Sequence, residues 1–174
     1  MSSISLSHYS KDWPIAFARE HDLLVRALEP LPVRVEHIGS TAVLGLTAKP
    51  VIDILLGAAS LAVIESRISH LGSVGYQYIA KYESELPLRR YFVKSSVSCC
   101  RIHLHAVVQG SLIWSNHLAF RDMLRSDPAM RAQYEALKVG LATELAHDKA
   151  AYTAAKDPFI KTALASCSRN GNAA

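Results

Sequence analysis

The apolar positions of this chain switch between a helical and a strand-like rhythm, and the switches mark its elements. Trp13, Phe17, Leu24 and Leu28 recur at helical spacing. Asp12 is placed to cap that helix, Pro14 suits its first turn, and Pro30 and Pro32 stop it. Val33, Val35 and Ile38 then read as a strand that breaks at Gly39-Ser40. Ser40 and Thr41 offer capping hydroxyls to a short turn or helix ending near Gly45. After Lys49-Pro50 comes Val51-Ile52-Asp53-Ile54-Leu55-Leu56, a second strand with one carboxylate inside an apolar run. Ser60 caps a further helix with Leu61, Ile64, Ile68 and Leu71 on one face, ended by Gly72 and Gly75.

The second half repeats the alternation before turning fully helical. Tyr76-Gln77-Tyr78-Ile79 begins a strand, and a polar turn through Glu83, Ser84 and Glu85 leads to the strand Leu88 to Lys94. Ile102 to Val108 reads as the last strand. From Leu112 onward the spacing predicts three helices, with breaks at Asp127-Pro128 and near Asp148. Tyr134, Leu137, Leu141 and Leu145 form one stripe, and Tyr152, Phe159, Ile160 and Leu164 belong to the last helix. A single domain over residues 1–165 is expected, with residues 166–174 as a frayed tail. At 174 residues the chain can bury roughly 70% of its unfolded surface, enough for a proper core.

Composition narrows the setting. Three cysteines, Cys99 beside Cys100 and Cys167 near the end, make no disulfide framework and no metal-ligand spacing. They read as reduced thiols. The first residues hold no apolar signal core, and no run approaches the ~20 apolar residues of a membrane span, so a cytoplasmic protein without membrane contact is expected. A net charge of +4 suits an anionic partner. The basic residues are scattered rather than massed with aromatics, which favours a small phosphorylated ligand over nucleic acid.

Candidate chemistry centres on Gly39-Ser40, where exposed backbone N–H groups at a turn mouth attract anions and Lys49 follows closely. Asp53 needs a partner, because a lone charge in a buried strand costs several kcal/mol or more. That partner is either a metal ion or a cation such as Lys49 or an arginine. His103 and His105 lie two apart in a strand and share a face. They could join Asp53 around a metal, act as a general base, or simply face solvent. His37 reads as a hydrogen-bonding residue of the turn. Arg90, Phe92 and Lys94 alternate onto one face, as phosphate binders or as charges guarding an edge strand. Arg121 could close the site from a helix or pair with Asp122. Lys138 and Lys156 read as solvated helix-surface residues.

The segment HIGSTAV…GL…AKPVIDI, followed by RRYFVK, RIHLHAV, HLAFRDMLR and YEALK, resembles the GrpB-like family from Tyr9 to about Leu164. That family has the fold of the nucleotidyltransferase superfamily. The resemblance implies one α/β domain, a mixed twisted sheet of about five strands with packed helices and a C-terminal helical cap. In nucleotidyltransferases a Gly-Ser turn touches nucleotide phosphates and carboxylates on the next strand hold a divalent metal. By that likeness Gly39, Ser40, Thr41, Lys49, Arg90, Lys94 and Arg121 would bind phosphate or nucleotide. Asp53, His103 and His105 would form the metal and catalytic group. The ligands implied are a divalent ion (Mg, Mn or Zn) and a nucleoside triphosphate as substrate or bound ligand.

Three departures stand out. The superfamily pattern has two acids two apart on the strand, and Val51 occupies the place of the first. Histidine replaces acid on the later strand, a donor set suited to Zn²⁺, Mn²⁺ or Ni²⁺ better than Mg²⁺. Leu44 stands where the family usually has Pro. The expected function is metal-dependent nucleotidyl or phosphoryl transfer, with a nucleotide- or phosphometabolite-binding module as the alternative.

Overall fold

The computed structural model describes residues 4–95 and 100–170, without the side chains of 167–170. Cys99, the side chain of Cys167 and residues 171–174 therefore lie outside the described residues. The first helix, α1 (Asp12–Leu28), begins at Asp12 rather than being capped by it. The Asp12 N–H instead donates to the Ser10 hydroxyl at 3.1 Å. Among the described residues five strands follow in one mixed sheet: β1 (Arg34–Ile38), β2 (Val51–Ala58), β3 (Gln77–Tyr78), β4 (Arg89–Ser95) and β5 (Arg101–Val108). Their spatial order is β1-β2-β5-β4-β3. β2 and β5 run parallel, and every other neighbouring pair is antiparallel.

The helix capped by Ser60 is present but divided into α2 (Leu61–Glu65) and α3 (Ile68–Ser73), because Arg67 leaves the helical region at φ −111° and ψ 7°. The apolar face survives the break, since Ile64 and Leu71 are both buried. Among the described residues four helices rather than three follow the sheet: α4 (Leu112–Ser126), α5 (Pro128–Glu144), α6 (Lys149–Ala154) and α7 (Asp157–Asn170). Asp127 caps α5 through its carboxylate, with Pro128 in the first turn, and Asp148 caps α6. Tyr152 thus belongs to α6. The backbone of α7 continues to Asn170, into the segment expected to fray.

Strand parity assigns every side chain of the sheet to one of two faces. Ile52, Ile54, Leu56, Ile102, Leu104, Ala106 and Phe92 point to the face covered by α1, α2 and α3, where they meet Trp13, Leu24, Leu28 and Leu71. On the opposite face Leu55 and Val107 pack with Ile38 under Trp114 of α4. Gly57 permits that contact, for a Cβ there would lie 2.6 Å from the Trp114 ring. Beyond α4, the loop residues Val43 and Leu46 join Leu124 and Tyr134 in a third apolar cluster. Tyr134 stacks on Phe159 at 5.3 Å between ring centroids, which ties α7 to α5. Leu44 points outward, so its replacement of the usual Pro leaves the core untouched. No helix among the described residues is long and apolar enough to cross a membrane.

The same parity sends Arg90 and Lys94 to the α1–α3 face with Phe92 between them. Arg90 pairs with Glu65 at 2.6 Å, and Lys94 with Glu20 at 2.9 Å. Glu20 also accepts from the Tyr76 hydroxyl at 2.7 Å. Since the Lys94 and Glu20 side chains are only 17% and 13% exposed, this pair is largely desolvated. Lys94→Met should leave Glu20 short of its counter-charge and lower stability on the order of 3 kcal/mol in urea denaturation. A loss within ±0.5 kcal/mol would show that the pair is effectively solvated.

Candidate active site

The site is set by the parallel register of β2 and β5, in which Asp53 lies opposite His103 and Leu55 opposite His105. All three polar side chains share the face that α4 covers only at its other end. Asp53 Oδ1 is 3.4 Å from His103 Nδ1 and 3.5 Å from His105 Nε2. The three donor atoms lie within 4.8 Å of one another. Two ligands on a tetrahedral ion with bonds near 2.1 Å are about 3.4 Å apart. The carboxylate–imidazole separations match that spacing, so the residues present fit a small four-coordinate ion.

Burial pushes the Asp53 carboxyl up, but the hydrogen bonds from His103 and His105, with a smaller electrostatic contribution from the same rings, together outweigh it. The net direction is well below the ordinary carboxylate range. Asp53 is therefore ionised, and its partners are histidines rather than the Lys49 or arginine contact left open by the sequence. His105 is also pushed below its ordinary value, chiefly by desolvation, with Asp53 opposing. Its Nδ1 takes a hydrogen bond from Arg89 Nη1 at 3.0 Å. Its ring also neighbours Tyr91 and, at 6.0 Å, His117 of α4. Burial lowers His117 to about 4.

The Gly-Ser turn folds over this group. Gly39 has φ 72°, and a Cβ there would approach Asp53 Oδ2 to 2.6 Å, so both conformation and space require glycine. Residues 40–42 form one 3₁₀ turn without a side-chain cap, contrary to the capping role expected of Ser40 and Thr41. The Thr41 hydroxyl instead donates to the Val51 carbonyl at 3.0 Å and meets His37 Nε2 at 3.1 Å. His37 stacks on Phe17 at 4.7 Å. Desolvation lowers it to about 4, which keeps it neutral as a buried strut of the turn.

The helical cap supplies the remaining wall. A cavity of about 270 Å³ opens between the turn, Asp53, His103, His105, Lys49 and the helices bearing Lys138, Tyr152 and Lys156. Lys138, read from sequence as solvated, is 2% exposed. It donates to Ser40 Oγ at 3.1 Å and to the Thr47 carbonyl. Lys49 and Lys156 both lie over the Tyr152 ring, at 3.9 and 4.6 Å from its centroid. Burial is the largest cause lowering all three lysines, with Lys49 and Lys138 each at about 8.

The structure thus gathers Ser40, Thr41, Lys49, Asp53, His103 and His105 around one cavity, with Gly39 behind them. Arg90 and Lys94 are on the far face of the sheet and cannot reach it. Arg121 is held by Glu36 at 2.8 Å, by the His37 carbonyl and by Asp122, outside the cavity. Three residues that sequence reasoning passed over belong to the site or its support: Lys138, Lys156 and Arg89. Lys138 lay on the apolar stripe, four residues after Tyr134 and three before Leu141, and Arg89 has the strand parity of Tyr91. For Lys156 no local signal exists, since it enters through the break between α6 and α7.

The profile of a family described as "GrpB protein" matches residues 3–166. The glutamate-rich protein GrpB of Alkalihalophilus pseudofirmus is 31% identical over 165 residues, covering 92% of this chain and 94% of that one. A crystal structure of conserved protein GrpB from Enterococcus faecalis is 32% identical with a TM-score of 0.80, covering 91% and 94%. The Cid1 poly(U) polymerase, 12% identical, aligns with a TM-score of 0.54 over 78% of this chain and 43% of its own. That likeness concerns the fold alone, an α/β nucleotidyltransferase-like architecture. A dephospho-CoA kinase of Mycolicibacterium paratuberculosis is 29% identical over 174 residues, covering 87% of this chain and 43% of the kinase.

Because Asp53 faces imidazoles and no lysine or arginine pairs with it at close range among the described residues, Asp53→Asn should remove metal binding while the fold persists. Metal analysis after dialysis against Zn²⁺, combined with thermal melting, checks this. A variant with full metal content and a strongly lowered melting temperature would make Asp53 a structural residue instead.

Proposed function

This chain belongs to the GrpB family, and on that footing we propose that it is a metal-dependent nucleotidyl- or phosphoryl-transferase acting on a small phosphorylated or nucleotide substrate. One observation carries the reading: an ionised carboxylate with two imidazoles and three lysine ammonium groups line the same cavity. Lys49, Lys138 and Lys156, with Ser40 at the turn, would hold phosphate oxygens. Asp53, His103 and His105 would hold a divalent ion. When bound, such an ion supplies neutralisation of the charge that develops on the transferring phosphoryl oxygens. The imidazoles favour Zn²⁺ or Mn²⁺ over Mg²⁺. A related segment within a dephospho-CoA kinase supports a nucleotide or phosphometabolite as the substrate class.

Val51 supports a second reading. It lines the cavity on the Asp53 face, where the superfamily pattern has a further carboxylate, so the chain has fewer hard oxygen ligands than that pattern supplies. A module that holds a phosphorylated ligand without turnover would need no such acid. Incubation of the Mn²⁺- or Zn²⁺-supplemented protein with nucleoside triphosphates and phosphorylated acceptors separates the two. Released pyrophosphate or a transferred group that disappears in Asp53→Asn is expected. Tight ligand binding with no product from any substrate would leave the binding module in its place.

The lysines give this reading a pH signature. A folded-state pKa near 8, below the unfolded value of 10.5, means that these groups cost stability at neutral pH. That cost is relieved as pH rises from about 8 to about 10.5, where the unfolded chain holds more protons than the folded one. An anion binds the ammonium form, so pyrophosphate binding near pH 8 should take up protons and weaken as pH rises further. Calorimetry in two buffers of different ionisation enthalpy measures this. Zero proton linkage, together with unchanged affinity in Lys138→Met, would remove the lysines from the ligand site.

A further inference from the structure

The group behind His105 is the wrong kind for a histidine that already ligates metal. A ligating imidazole normally gives its other ring N–H to a carboxylate, a carbonyl or water, which fixes the tautomer with a lone pair toward the ion. Here the group behind the ring is the Arg89 guanidinium, 3.0 Å from Nδ1. A guanidinium has donors and no acceptor. Nδ1 must therefore present a lone pair, which excludes the doubly protonated ring and puts the single proton of the neutral ring on Nε2. That nitrogen faces Asp53 Oδ1 at 3.5 Å. In this arrangement Nε2 is a hydrogen-bond donor to the carboxylate and has no lone pair to offer an ion.

We propose that Arg89 is a positioning residue of the metal site: it holds His105 in the non-ligating tautomer, so that His105 joins Asp53 and His103 around an ion only when the Arg89–His105 hydrogen bond opens. The proposal rests on the reading of Asp53, His103 and His105 as a metal site. Ion entry then requires the ring proton to leave Nε2 and return on Nδ1, and Arg89 to withdraw, since an N–H cannot face a guanidinium donor. Little anchors Arg89 against such a shift. Among the described residues no carboxylate pairs with it, and its Nε is buried without a hydrogen-bond partner. Its guanidinium lies over the Tyr91 ring, 5.2 Å from the centroid, a contact that tolerates sliding better than a bidentate ion pair would. Metal affinity and the tautomer of one ring are thus coupled through a residue that does not itself touch the ion.

Long-range ¹⁵N–¹H correlation spectra of the full, metal-free chain test the tautomer directly. His105 should show an Nε2–H ring, converting to Nδ1–H with a ligated Nε2 on titration with Zn²⁺. An Nδ1–H ring in the metal-free protein would overturn the proposal, whatever any variant does. In Arg89→Met the opposing donor is gone, and Zn²⁺ affinity measured against a competing chelator should rise about tenfold or more, the scale of outer-shell effects on metal affinity. Equal or weaker affinity in Arg89→Met, with zinc binding still lost in Asp53→Asn, would reject the role of Arg89 and keep the metal site. Binding that is indifferent to Asp53→Asn in both backgrounds would reject the metal site itself, and the proposal with it.

Discussion

Everything at the candidate site depends on the in-register parallel pairing of β2 with β5. A parallel pair puts residues with the same side-chain direction next to one another along the whole ladder, and here the register sets Asp53 beside His103, with His105 one pleat further on. A slip of one residue would send the histidines into the apolar face against α1–α3, where Ile102, Leu104 and Ala106 now pack. The apolar pattern of β5 thus enforces the geometry of its polar face. Because parallel neighbours cannot be joined by a tight turn, the chain between β2 and β5 makes α2, α3, β3 and β4 before returning. Tyr91 and Arg89 arrive on the same face in that way.

The site concentrates opposite charges that are each costly to bury. Asp53 stays ionised because two imidazoles outweigh its desolvation, whereas the three lysines are depressed because nothing comparable compensates theirs. Lys138 has two oxygen acceptors, and Lys49 and Lys156 rest on an aromatic ring. These contacts are weaker compensation than a carboxylate would be. A cavity walled by under-neutralised cations favours anions, and the carboxylate–imidazole group at its floor favours a small cation. Arg89 adds a third element, a donor aimed at a ring that needs an acceptor before it can ligate.

The other polar residues on the sheet and its first helices are structural by comparison. Arg90, Lys94 and Arg121 each meet a glutamate at 2.6–2.9 Å, and their charges are satisfied within the protein. Cationic residues spoken for by carboxylates hold elements together: α2 to β4, α1 to β4, and α4 to β1. Among the described residues the lysines of the cavity have no such carboxylate partner. The nature of the partner, more than the type of residue, separates ligand-facing charge from structural charge in this fold.

The sequence by itself determined the strands, their faces and most of the helices, though not the division of one predicted helix into α2 and α3 or the separation of α6 from α7. Alternation in β1, β2, β4 and β5, proline stops after α1, the Ser60 cap and the breaks at Asp127-Pro128 and near Asp148 are local signals, because propensity and capping act within a few residues. It also marked Asp53, His103 and His105, since polar residues at fixed parity in apolar strands stand out without knowledge of the partner strand. Parity alone could have placed Arg90 and Lys94 opposite the site, because they alternate with the core residue Phe92. What the tertiary structure decided was which strands are neighbours and what covers them. Only the β2–β5 pairing brings Asp53 to the histidines, and only the packing of α5 and α6 over the turn carries Lys138 and Lys156 into the cavity. Those meetings join residues some 50 to 100 positions apart. They are set by the burial of shared apolar surface, and that surface exists only once the sheet and its helices have come together.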